Sequence, residues 1–313
     1  MTRAVSQLSG RISGEQTIMM HRRTARDLSD LQAVRELAQA LPGPTAISDL
    51  EERLLMPSIR ENLCLWEESG RLAAFAFVDG YNNLNFEILP AARGSELEDA
   101  LVSWAEDQMR ERNALLGAED TLDACFSPAD SWQIALLLRN GFTEQSIRSL
   151  RYRLDLSAPP SPREFPRGFS WRPVLGEREI PDLVALHRAA FGTLNMTAEQ
   201  RLAMMEAPDY RPDLDLVALS PEGRLAAFCV GGISAEEPDL GYTDPIGTRP
   251  EYQGLGLARA LTERCLAGLF AAGVRRVRTG TSSENLPMQR LARSLGFQLE
   301  SEQIWFSKIV GTR

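Results

Sequence analysis

Apolar residues recur at helical spacing near the start of each half of the chain. The first stripe follows Arg23 and contains Leu28, Leu31, Val34, Leu37 and Leu41. The second follows Arg172 and contains Ile180, Leu183, Val184, His187 and Phe191. This spacing predicts an amphipathic helix in each half, and Pro181 suits the first turn of the second one. Because His187 lies on the stripe, we interpret it as a core or interface histidine rather than a catalytic one.

The chain also repeats itself. The hexapeptide Gly-Arg-Leu-Ala-Ala-Phe occurs at Gly70–Phe75 and again at Gly223–Phe228, and a Gly-Phe pair recurs at Gly141 and Gly296. Each hexapeptide follows an apolar stretch and a turn, which predicts a β-hairpin in each half. Two ordered markers at nearly the same offset indicate an internal duplication.

A proline-rich stretch separates the two halves. Residues 157–166 contain four prolines, which can continue neither a helix nor a central strand. The sequence therefore predicts domains at residues 1–156 and 167–313, joined by a linker at 157–166. Each half reads as a strand, one or two helices, a run of strands, a helix, a strand, a helix and a last strand. This order predicts an α/β fold in which helices pack on a mixed sheet.

Composition excludes several classes of function. The net charge of −9 argues against nucleic-acid binding, which requires a basic face. Four scattered cysteines and two histidines give no metal-ligand spacing, so we expect no metal. The longest apolar run, Leu72–Val78, is far too short to span a membrane, and the first twenty residues lack the apolar core of a secretory signal. We therefore expect a cytoplasmic protein.

A glycine-rich turn in the second half is the candidate anion site. Residues 239–248 predict a strand, distorted at Pro245, and a helix follows to about Ala272. Small residues at positions 254, 256 and 258 stand between the strand and the first helical turn. Free N–H groups at a helix start, together with the helix dipole, favour binding of phosphate groups.

The motif Gln253-x-x-Gly256-x-Ala258 resembles the signature of the GNAT acetyltransferase superfamily. Asn285, after the next strand, and the Ser-Leu-Gly-Phe stretch at Ser294–Phe297 follow in the order typical of that family. The resemblance covers about residues 214–310, and the duplication extends it to the first half. It implies two tandem GNAT-like domains, each a mixed β-sheet with helices on both faces.

The resemblance also implies a binding site for acetyl-CoA as co-substrate. The strand at Ile246–Thr248 would pair with the pantetheine arm, Gln253 would order the loop entrance, and Asn285 would contact the cofactor or cap the next helix. The expected cofactor-binding residues are Ile246, Gly247, Thr248, Gln253, Gly254, Leu255, Gly256, Leu257, Ala258, Arg259 and Asn285.

The first half lacks the small residues of this glycine-rich turn. Arg93 stands where Gln253 does, and Glu96 and Glu98 replace Gly256 and Ala258. Two carboxylates at a diphosphate site add bulk and like-charge repulsion. We therefore expect the first half to be a structural lobe without a CoA site.

The sequence indicates the catalytic residues less clearly than the cofactor-binding residues. Asp244, next to the distorted strand, is our candidate base, with Tyr242 and Asp239 as competitors. Many family members place a tyrosine acid four residues before the Gly-Phe pair, but this chain has Ala292 there and Leu137 in the first half. Since a thiol has a pKa of about 8.5, the CoA thiolate can still leave without that acid.

Together, these features predict an N-acetyltransferase with one CoA site, in the second half, that acts on a primary amine of a small molecule. A variant similar to the mycothiol synthases, and a non-catalytic acyl-CoA-binding or regulatory protein, are the alternatives. We expect no nucleic-acid or membrane partner. The sequence leaves the acceptor open, and both a monomer and a homodimer remain compatible with it.

Overall fold

The computed structural model describes residues 7–9, 19–41 and 47–311 of the chain. These residues form two compact units. The first runs to Ser146 and also includes the chain from Gln303 onward, whereas the second is Ile147–Glu302. Each unit is a mixed α/β structure with helices packed on a sheet, which confirms the predicted fold class. Within the described ranges, no helix is both long and apolar enough to cross a membrane.

The first unit follows the predicted order of elements, except that one additional strand and one additional helix precede the run of strands. Its helices are α1 (Leu28–Gln39), α2 (Ile47–Leu55), α3 (Pro57–Asn62), α4 (Ser95–Leu116) and α5 (Ser131–Arg139). Its strands are β1 (Gln7–Ser9), β2 (Met19–Thr24), β3 (Cys64–Glu68), β4 (Arg71–Val78), β5 (Leu84–Ile88), β6 (Thr121–Phe126) and the start of β7 (Thr143–Asp155). Strands β1 to β5 pair antiparallel in sequence order. A parallel bridge between Asn83 and Asp123 then leads to β6.

The second unit repeats this order. Its helices are α6 (Ile180–Phe191), α7 (Ala198–Glu206), α8 (Leu257–Ala271) and α9 (Leu286–Ser294). Its remaining strands are β8 (Ser170–Pro173), β9 (Tyr210–Leu219), β10 (Leu225–Ile233), β11 (Leu240–Thr248), β12 (Arg276–Ser282) and the start of β13 (Gln298–Ile309). The sheet order is β8-β9-β10-β11-β12-β7, and the β11–β12 pair is parallel while its neighbours are antiparallel.

Strands β7 and β13 each pass from one unit to the other. Residues 149–155 of β7 pair with β12 in the second unit, and Ile304–Ile309 of β13 pair with β6 in the first. The proline-rich segment 157–166 consequently lies inside the second compact unit. The compact units are divided within β7 and β13, not at the proline-rich segment. We propose that residues 157–166 instead separate the two copies of the repeated sequence.

The second unit's sheet is buried on both faces by alternating residues. On one face, Ala227 and Cys229 of β10 pack with the apolar side of α8. On the other, Phe228 and Val230 pack with α6. Two apolar rows on one strand bury β10 from both sides, because successive side chains point to opposite faces. Helix α8, which follows the glycine turn, and helix α6, which contains the second apolar stripe, therefore lie on opposite faces of the sheet at β10, the strand next to β11.

A buried acid in the first unit makes its stability depend on pH. Glu87 on β5 is 5% exposed and has no hydrogen bond or ion pair to any described residue. Burial raises the pKa of Glu87 to about 7, while Arg93 opposes this shift and Asp130 adds to it. Between its ordinary value of 4.5 and 7, the unfolded chain releases this proton and the folded chain keeps it. The free energy of unfolding therefore falls as pH rises through this window and levels off above it.

We expect Glu87→Gln to stabilise the first unit at pH 8, by roughly 1–3 kcal/mol, and to have little effect at pH 4.5. Denaturant unfolding of the full chain at both pH values measures the difference. Glu96→Gln, an exposed carboxylate on α4, serves as the control. An equal gain at both pH values, or an equal gain from Glu96→Gln, would contradict the assignment.

Candidate cofactor and active site

The candidate site begins where two parallel strands of the second unit separate. The β11–β12 ladder comprises three register pairs and ends at Tyr242 with Arg278. Beyond it, two side-chain bonds join the strands: Thr279 Oγ1 donates to the Thr243 carbonyl at 3.0 Å, and the Gly280 N–H donates to Asp244 Oδ2 at 2.8 Å. Strand β11 continues to Thr248, paired only with β10. Its outer edge there is open to an extended ligand that pairs through its backbone.

The distortion expected at Pro245 is present. The register between β10 and β11 shifts between the pairs Cys229–Ile246 and Gly231–Thr243. Proline offers no N–H to a ladder, so its place at an irregularity is the expected one. The shift lies at the point where β11 and β12 separate.

A glycine turn joins β11 to α8. After a short 3-10 turn at Pro250–Tyr252, Gly254 and Gly256 adopt φ angles of +77° and +83°. Side chains resist this left-handed conformation, which glycine adopts freely. A Cβ atom on either glycine would meet nothing within 4 Å. The space in front of the turn is therefore open to a ligand that approaches the backbone.

The N–H groups of this turn have no hydrogen-bond partner in the part of the chain that the structure describes. Among the described residues, none of the backbone N–H groups from 254 to 259 donates a hydrogen bond, and the first bond of the helix is from Ala260 to Gly256 at 3.0 Å. The 15-residue helix α8 adds the positive end of its dipole at the same place. This arrangement binds anions.

A cleft of about 570 Å³ gathers these parts. Residues of β11, the glycine turn, α6 and α9 line it: Ala190, Phe191, Ile246, Gly247, Thr248, Tyr252, Gln253, Gly254, Gly256, Leu257, Ala258, Arg259, Asn285, Pro287, Met288, Arg290 and Leu291. Ten of the eleven cofactor-binding residues expected from the sequence are among them. Leu255 is not, and its side chain is exposed.

Three polar side chains order the rim of the cleft. Gln253 Nε2 donates to the Thr248 carbonyl at 3.3 Å, which ties the turn to the end of β11. Asn285 Oδ1 accepts from the Met288 N–H at 3.1 Å, so Asn285 caps α9 while lining the cleft. Arg259 donates to Glu263 at 2.9 Å and to Ser294 Oγ at 2.8 Å. These contacts fix the turn against both flanking helices.

Sequence reasoning missed the walls that α6 and α9 contribute. The apolar stripe placed Phe191 on α6, but it gave no sign that Ala190 and Phe191 face the cleft. Ala190 packs so closely on β11 that a Cβ added to Gly247 would lie 2.9 Å from the Ala190 Cβ and 2.5 Å from the Phe228 ring. Only glycine at position 247 lets α6 approach the strand this closely.

The candidate bases lie at opposite ends of the β11–β12 ladder. Asp244 is exposed at the point where the strands separate, and Tyr242 lies half-buried two residues earlier, in the last register pair of the ladder. Asp239 lies at the other end, where Arg276 donates to it at 2.8 and 3.0 Å and holds the pKa of that carboxyl below its usual range. The structure therefore brings Asp244 and Tyr242, but not Asp239, to the opening between the strands.

The remaining sequence predictions concern buried positions. Ala292 is 1% exposed and Leu137 is fully buried, so both fill core space. His187 stacks on Phe191 and Phe228, with ring centroids 4.5 and 5.7 Å apart. Burial lowers the pKa of His187 to about 4, with Arg201 adding to the effect. His187 is thus a neutral packed ring, as its place on the stripe predicted.

In the first unit, residues that align with the glycine turn contact other side chains. Arg93 lies over the Trp132 ring at 4.2 Å from its centroid, and Trp132 stacks on Phe86 at 5.8 Å. Glu98, which replaces Ala258, is buried and forms an ion pair with Arg139. Charged side chains therefore stand at the positions in the first unit that align with Gly256 and Ala258.

Residues 180–297 match the sequence family described as the acetyltransferase (GNAT) family. A mycothiol acetyltransferase of Thermobispora bispora is 28% identical over 285 residues, which cover 86% of this chain and 92% of that protein. One from an Arthrobacter species is 28% identical over 72% of this chain and 71% of its own length.

Solved structures share the two-unit fold. A GCN5-related N-acetyltransferase from Sphaerobacter thermophilus has a TM-score of 0.67 at 21% identity, over 93% of this chain and 96% of its own. A tandem GNAT protein from the clavulanic acid biosynthesis pathway has a TM-score of 0.68 at 18% identity, over 94% and 99%. At these identities the likeness concerns the fold.

Proposed function

Because the chain belongs to the GNAT acetyltransferase superfamily as a tandem acyltransferase, we propose that it transfers the acetyl group of acetyl-CoA to a primary amine of a small molecule, at an active site in its second unit. Its similarity to acetyltransferases supports an enzymatic function over that of a non-catalytic acyl-CoA-binding protein. The observation that carries the site is the open edge of β11, which leads into the glycine turn with its unpaired N–H groups.

Different residues of the cleft would bind different parts of acetyl-CoA. The N–H groups from Gly254 to Arg259 would hold the diphosphate, and the backbone of Ile246–Thr248 would pair with the pantetheine arm. Gln253 and Asn285 would fix the two rims of the cleft. This path directs the thioester toward the separation of β11 and β12, where Asp244 lies.

At that point the chain supplies two candidate bases, Asp244 and Tyr242, and we propose Asp244 as the base. The amine attacks the thioester carbonyl carbon, the carbon–sulfur bond breaks, and CoA leaves as thiolate. Asp244 would take the proton that the amine loses, directly or through water. Backbone N–H groups beside Pro245 would polarise the carbonyl oxygen. Since position 292 is a buried alanine, the thiolate would take its proton from solvent.

Calorimetric titration of the full chain with acetyl-CoA tests the proposal. We expect one binding site per chain, because Glu96 and Glu98 place two carboxylates at the corresponding turn of the first unit. Two sites would show that Arg93 and Glu98 do not close the first unit. No binding at millimolar acetyl-CoA would refute the proposed function.

A further inference from the structure

One face of the second unit's sheet carries a row of arginines beside the candidate base. In register across β12 and β7, Arg278 lies opposite Arg153, and Gly280 lies opposite Arg151. The alternating residues Tyr152 and Val277 belong to the core beneath α8 and α9. Since side chains alternate along a strand, the arginines lie on the other face. Tyr242, in register with Arg278, and Asp244, two residues further on, continue this face onto β11.

Two of these arginines are neutralised, and the third is not. Arg153 donates to Asp155 at 2.7 and 2.9 Å, and Arg278 donates to Glu300 at 2.7 and 3.1 Å. Arg151 has neither a hydrogen bond nor an ion pair to any described residue, although it is half-buried. A partly desolvated guanidinium without a partner favours a bound anion.

The sheet position between Arg151 and Asp244 carries no side chain. Gly280 separates them in the sheet, its backbone is exposed, and a Cβ added to it would meet only Asp244 Oδ2, at 3.3 Å. Paired strands lie about 4.8 Å apart and β11 separates from β12 at Asp244, so the backbones of Asp244 and Arg151 are at least about 10 Å apart across Gly280. A small molecule can lie over Gly280 with one end at each side chain.

We propose that the acceptor carries a carboxylate in addition to the reacting amine, and that Arg151 binds this carboxylate while the amine lies beside Asp244. This rests on the proposed function, which places the amine at the separation of β11 and β12. A guanidinium binds a carboxylate through two parallel N–H donors, which fixes the direction of the acceptor as well as its charge. Gly280 is required at its position because a side chain there would fill the floor of this subsite.

The test uses straight-chain amino acids from glycine to 6-aminohexanoate, each compared with its carboxamide. Release of the CoA thiol measures kcat/KM for each compound. We expect the wild-type enzyme to prefer the acid over its amide by about tenfold or more for at least one chain length. Arg151→Gln should abolish that preference through KM, with kcat nearly unchanged, and Arg151→Lys should retain part of it.

Arg178→Gln is the matched control, since Arg178 is an exposed arginine of the same unit that lies before α6 and outside this sheet face. It should keep the full preference for the acids. If acetyl-CoA binds but no acid is preferred, or if the preference survives Arg151→Gln, the proposed acceptor is overturned while the proposed function stands. Absence of acetyl-CoA binding would instead refute the proposed function itself.

Discussion

Gly256→Glu should weaken CoA binding by at least about 100-fold, the largest effect we expect from any single substitution in this chain. At φ +83°, a side chain strains the backbone at the entrance of α8. The new carboxylate would also lie among the N–H groups that the diphosphate needs, and repel it in a partly desolvated cleft. The same exchange of small residue for carboxylate is present in the first unit.

Calorimetric titration with CoA measures this loss. Gly273→Glu is the control, because Gly273 follows the other end of α8 with φ +99° and has nothing within 4 Å of an added Cβ. It imposes a similar strain and the same charge about 20 Å from the turn, and it should leave CoA affinity unchanged. Equal losses from both substitutions would show that damage to α8, rather than to the anion site, explains the result.

Asp244→Asn should lower turnover by about 100-fold or more while acetyl-CoA affinity stays within about twofold. Asparagine keeps an oxygen that can accept from the Gly280 N–H, which is 2.8 Å from Asp244 Oδ2. The link between β11 and β12 is therefore retained, and the ability to take a proton is lost. Steady-state release of CoA thiol, with any amine that the wild type accepts, measures turnover.

Asp239→Asn is the control for this second prediction. It removes a carboxylate from the same strand region, where it forms an exposed ion pair with Arg276. Such pairs contribute little to stability, so turnover should remain within about twofold of the wild type. A parallel fall in acetyl-CoA affinity in Asp244→Asn would assign Asp244 to binding and refute its role as base.

The first unit shows how far sequence alone can explain a lost site. Glu96 and Glu98 in place of Gly256 and Ala258 predicted like-charge repulsion at the turn. The structure adds that Glu98 is held by Arg139 and that Arg93 packs on Trp132. Such contacts join segments about 40 residues apart, which no local pattern in the sequence reveals.

Local signals determined most of the elements. The apolar stripe from Ile180 predicted α6, which spans Ile180–Phe191, and the helix expected to end near Ala272 ends at Ala271. The distortion at Pro245 and the cap at Asn285 were also predicted, because each depends on the chemistry of one residue and its immediate neighbours. Strand starts were predicted less well: the sequence predicts the two last strands at Ser149–Leu156 and Gln303–Val310, whereas β7 begins at Thr143 and β13 at Gln298.

The sequence by itself determined the duplication, the fold class and the glycine turn, because periodicity, repeats and a short motif are local properties of the chain. Only the tertiary structure decided which side chains surround that turn. Ala190 lies beside Gly247, and Arg151 lies across Gly280 from Asp244, through contacts that span 36 to 129 residues of sequence. The passage of β7 and β13 between units is decided in the same way, since strand partners are chosen by long-range packing and hydrogen bonding rather than by the sequence of either strand.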